Sequence, residues 1–96
     1  IQAIKDDYNA ELAKGHMTSE GILMDAFPEN ISLFASGISY EETLNPNGFI
    51  NIRDYNNDVH KKSIANAKTM LMELNANMKE KLEAKWKAEE DVKNVL

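Results

Sequence analysis

The chain predicts an all-α fold, with short N-terminal helices packed on one long C-terminal helix. An irregular or small β-ribbon connection is expected around residues 38–57. Three observations lead there. Ile1, Ile4, Tyr8 and Leu12 recur at helical spacing near the N-terminus. Asn45-Pro46-Asn47-Gly48 is a strong turn signal in mid-chain, because Asn and Gly tolerate positive φ. From Asp58 to the C-terminus there is neither Gly nor Pro, so nothing interrupts a helix.

The first helix places Asp6, Asp7, Glu11 and Lys14 opposite its apolar stripe. Lys14-Gly15 reads as its C-terminus, a cation in the last turn with Gly beyond. Gly15-His16-Met17 also resembles the scar of a cleavable tag, in which case residues 1–16 are a separate segment. The first residue, Ile1 rather than Met, reads as a fragment or trimmed product. Thr18 or Ser19 is placed to cap a second helix, with Glu20 in its first turn. That helix should stop near Phe27, since Pro28 disfavours helical geometry just before it. Pro28 and Glu29 suit the start of a third short helix with Ile31, Leu33 and Phe34 inward and Gly37 at its end. Ile38 and Tyr40, and again Ile50 and Ile52, have strand spacing.

Asn57 or Asp58 is expected to cap the long helix, residues 57–96 forming the last element of one small domain that spans 1–96. A helix from there to Val95 is about 55 Å long at 1.5 Å per residue. A compact chain of this size is only about 25–30 Å across, so the helix bends back or projects. A heptad register puts Ile64, Leu71, Met78, Lys85 and Val92 on one seam position and Ala67, Leu74, Lys81, Ala88 and Val95 on the other. Where Lys81 and Lys85 interrupt it, the apolar stripe steps to Leu82 and Trp86. Met70, Met72 and Met78 add an adaptable face or plain core. Such a stripe serves intermolecular contact, or packs only on its own domain. A small chain has little mass to cover it, which favours contact. The residues expected to bind a partner or a second copy are Leu71, Leu74, Met78, Leu82, Trp86 and Val92.

Charge and composition exclude several classes. The 96 residues carry a formal −5 and no cysteine, which removes disulfide frameworks, thiolate metal sites and cysteine nucleophiles and fits a cytoplasmic protein. No apolar run reaches the length of a membrane span. Residues 1–56 hold three cations against nine carboxylates, and 57–96 eight lysines against seven. Residues 19–36 have a helix–turn–helix outline, but no Lys or Arg lies between Lys14 and Arg53. Phosphate affinity rests on such cations, so nucleic acid is not an expected partner.

No phosphate loop, His-Glu-x-x-His run or nucleophile elbow occurs, so no catalytic residue, cofactor or metal site is expected. Thr43, Asn45, Asn47, Gly48 and Asp54 fall on positions 1, 3, 5, 6 and 12 of an EF-hand-type loop. Thr at position 1 and Asp instead of Glu at 12 leave that pattern degenerate. The expected function is that of a non-enzymatic assembly, scaffolding or adaptor protein, as in phage or other multi-subunit complexes. The alternatives are a small regulator that binds a protein through an acidic face bearing Glu20, Asp25 and Glu29, and a degenerate calcium-binding module.

Overall fold

A computed structural model describes residues 2–95. Ile1 and the Val95 side chain, both given a helical face above, lie outside the described residues. The order is α1 (Gln2–Ala13), β1 (His16–Met17), β2 (Leu23–Met24), α2 (Pro28–Leu44), β3 (Phe49–Arg53), β4 (Val59–Ser63) and α3 (Ile64–Val95). The strands form two separate antiparallel ribbons, β1 with β2 and β3 with β4.

The fold is therefore mixed α/β, and the all-α expectation is corrected in four places. The expected helix over 18–27 is a β-hairpin turn and strand. Ile22, Met24 and Ala26 are all buried, a period of two that only an extended chain can produce. Thr18 tightens the turn: its N–H and hydroxyl both donate to the Ile22 carbonyl, at 3.0 and 2.9 Å. The third helix does not end at Gly37 but runs to Leu44. Burial of Ile38 in the core outweighs the roughly 1 kcal/mol that Gly costs inside a helix. Ile50 and Ile52 pair across to Lys62 and His60, so Ile38 and Tyr40 are not their strand partners. The long helix begins at Ile64, not at 57. Asn57 adopts φ +66° in a turn, and the cap is Ser63, whose Oγ accepts from the Asn66 N–H at 3.1 Å.

Other local readings match the structure. Pro28 opens α2 with Glu29 in its first turn. The Asn45–Gly48 turn closes through Gly48 N–H to the Asn45 carbonyl at 2.9 Å, with the Asn45 side chain accepting from Asn47 N–H. Gly15 follows α1 at φ +72°.

The long C-terminal helix is the spine of the molecule, which measures 54 × 24 × 20 Å. Its first half carries the core. Ile64, Ala67, Met70 and Leu74 meet Ile31 and Ile38 of α2, Ile50 and Ile52 of β3, and Ile22 and Met24 of the first ribbon, with Phe34, Leu71 and Met78 packed against them. Its second half has α1 alongside, held through buried Leu12 and a shallow groove between Ile4, Tyr8, Ala84 and Ala88. The result is a compact body with a two-helix arm.

Candidate functional site

The heptad stripe of α3 divides at Met78. Leu74 is 1% exposed at the centre of the core, and Leu71 and Met78 pack against it. These three residues, read from the sequence as a partner-binding seam, hold the body together instead. The methionines divide too: Met70 is buried, while Met72 points to solvent.

Beyond Met78 no described residue of α3 belongs to the core or packs on it. There the helix has α1 on one side. Lys81 lies 3.9 Å from Glu11, and the Lys85 ammonium sits over the Tyr8 ring, 5.4 Å from its centroid. The two lysines that break the heptad pattern thus face the acidic and aromatic side chains of α1. Leu82 and Val92 are half-buried, and Trp86, four residues on from Leu82, is 56% exposed. Of the six predicted contact residues, Leu82, Trp86 and Val92 remain on the arm with surface to offer. Three of the charge pairs expected at spacing four form there, Lys79–Glu83, Lys85–Glu89 and Lys87–Asp91, at 3.8, 4.0 and 3.2 Å. Such pairs contribute little individually, but they keep a poorly covered helix wound.

The residues read as a degenerate calcium loop are dispersed into structural tasks. Thr43 sits in the last turn of α2 and donates to the Ser39 carbonyl, Asn45 organises its turn, and 49–53 are extended in β3. Asp54 closes the β3–β4 hairpin. One carboxylate oxygen accepts from the Asn56 and Asp58 N–H groups, and the other lies 2.8 Å from His60 Nε2. The His60 contact first, and the two amides after it, hold the Asp54 carboxyl below the usual carboxylate range despite partial burial. Among the described residues, no three His, Cys, Asp or Glu side chains stand close enough together to hold a metal ion.

Two acids of the predicted acidic face are placed differently from each other. Glu20 is 3.2 Å from Lys62, whereas Asp25 lines a cleft beside α2 and β3. Glu73 of α3 accepts from the Ser19 N–H at 3.1 Å and ties the first ribbon to the spine, and hydrogen bonding from Ser19 lowers its pKa. The helix–turn–helix outline over 19–36 does not form, because its first half is the β1–β2 ribbon.

The structure adds surface that helical periodicity missed. Leu33, Tyr40 and Leu44 stand 71, 64 and 63% exposed on α2, at spacings of seven and four that place them on one face. Reading 28–44 as one helix rather than as a helix and a strand would have revealed this stripe.

No helix among the described residues is long and apolar enough to cross a membrane. Comparison with protein-family models, with curated proteins and with solved structures gives no match to this chain.

Proposed function

We propose that the protein is a non-enzymatic assembly or adaptor module that acts through its two-helix arm, with a second copy of the chain as the partner. The observation that carries this reading is Trp86. The chain's one tryptophan lies more than half exposed on the part of α3 that the core does not reach. Tryptophan is favoured at contact hot spots because it buries a large area with few rotors. About 100 Å² of its surface is left to bury, about 2.5 kcal/mol per copy at ~25 cal/mol/Å². Leu82 beside it extends the apolar edge, and Val92 lies about two turns from it on the same helix. Two arms laid together give a four-helix arrangement in which α1 and α3 of each copy supply half of the core.

Light scattering across a concentration series tests this, with emission of the single tryptophan as an internal reporter. Mass is expected to rise with concentration as the emission shifts to the blue. Trp86→Ala is expected to weaken association by about tenfold or more while changing unfolding of the isolated chain by less than ~1 kcal/mol. A strict monomer at high concentration, with solvent-exposed emission and no effect of Trp86→Ala, overturns self-assembly through the arm.

A further inference from the structure

The second ribbon has an unused edge. The bonds from Asp54 N–H to the Asp58 carbonyl and from Ile64 N–H to the Gly48 carbonyl set the parity of the β3–β4 ladder. In an antiparallel pair, bonded and non-bonded residues alternate. Ile50 and Ile52 therefore turn their amides toward β4, and Asn51 and Arg53 turn theirs the opposite way. Among the described residues these outward groups have no backbone partner. Strand β2 approaches that side only once, where Leu23 O accepts from Tyr55 N–H at 2.9 Å. Past that bond the chains are not paired, and a cleft of about 400 Å³ lies between Met24 and Asp25, the exposed side of α2, and β3.

A second, independent feature borders the same cleft. The α2 stripe of Leu33, Tyr40 and Leu44 is an exposed apolar face, and Leu33 itself lines the cleft. An unpaired strand edge beside an apolar helix face is the geometry that accepts an added strand.

Charge selects the occupant. Asp25 lines the cleft, and Glu29 stands four residues before Leu33 on the same face of α2. No Lys or Arg occurs between Lys14 and Arg53. Two copies paired edge to edge would bring these carboxylates together, which disfavours a second copy.

We infer that the free edge of β3 and the exposed stripe of α2 form a docking slot for an extended segment of another protein. That segment alternates apolar residues with Lys or Arg. Its backbone pairs with Asn51 and Arg53, its apolar side chains lie on Leu33 and Phe34, and its cations face Asp25 and Glu29. This slot is separate from the arm and does not depend on it.

The test uses the whole chain, labelled for amide NMR, and three short synthetic peptides: alternating Val and Lys, alternating Val and Glu, and the Val–Lys peptide with a central Pro. The Val–Lys peptide is expected to shift the Asn51 and Arg53 amides and slow their hydrogen exchange, and the other two to bind about tenfold or more weakly. Asn51→Pro removes an outward donor without breaking the ladder to β4, so it is expected to lose binding while keeping the circular dichroism spectrum. If that variant unfolds, Leu33→Glu on the exposed face gives the same reading. Asp25→Lys with Glu29→Lys is expected to invert the preference between the Lys and Glu peptides. Equal binding of the Pro-interrupted peptide, or unprotected Asn51 and Arg53 amides in the complex, overturns the inference. A dimer abolished by Asn51→Pro also overturns it, because a second copy is then the occupant.

Discussion

Gly15 and Gly21 have nearly the same backbone angle and different surroundings, which makes them a controlled pair. Their φ values are +72° and +76°, so an alanine at either site meets the left-handed penalty of about 1–2 kcal/mol. At Gly21 a Cβ would meet nothing within 4 Å. At Gly15 it would lie 2.7 Å from the Met24 carbonyl oxygen and 2.8 Å from Tyr55 Cδ2. Neither neighbour is free to move. The carbonyl belongs to β2, and Tyr55 is held at both ends, by its hydroxyl donating to Ala13 O at 2.7 Å and its N–H donating to Leu23 O at 2.9 Å. Overpacking of this kind costs a further ~1–3 kcal/mol. Gly15→Ala should therefore lose about 2–5 kcal/mol and Gly21→Ala about 1–2. In a domain of this size each kcal/mol lowers Tm by about 4–8 °C. Urea unfolding followed by circular dichroism gives both values. Losses that agree within ~0.5 kcal/mol would show that the contact of α1's end with β2 and Tyr55 is not close-packed, and would refute the reasoning.

Position within α3 should decide the cost of truncation: Leu74→Ala is expected to lose about 2–5 kcal/mol in urea unfolding, and Met72→Ala, on the solvent side, under ~0.5. A Leu74 variant as stable as the parent would move the core away from the first half of α3. The Asp54 carboxyl, held below its ordinary value, contributes stability that is complete above the ordinary Asp pKa of about 3.9 and is lost as pH falls through the lower folded value. Asp54→Asn should therefore flatten the dependence of unfolding on pH below about 4, and an unchanged acid slope would separate Asp54 from hairpin stability.

The elements that were legible in the sequence are those set by local chemistry. The Asn45–Gly48 turn, the Pro28 start of α2, the Gly15 stop and the long uninterrupted C-terminal helix each rest on residues within a few positions of one another. The strands were less legible because they are short and their partners carry little pattern. His60 and Lys62 face Ile52 and Ile50 across the second ribbon, and neither identifies a strand by itself. Ile22, Met24 and Ala26 did carry a period of two, but Thr18 and Ser19 offered an equally good helix cap. The contact seam was legible as a stripe, but its direction was not. Nothing local distinguishes Leu74, at the centre of the core, from Leu82 on the arm.

By itself the sequence determined that this chain has a cation-free middle, a glycine-free and proline-free C-terminal helix with one tryptophan, and no local catalytic pattern. Only the tertiary structure decided which part of the stripe is consumed by the core, that α2 runs through Gly37, and that β3 keeps one edge unpaired. The physical reason is that helix periodicity and turn chemistry act over a few residues. Burial and strand pairing depend on which distant residues arrive to share them.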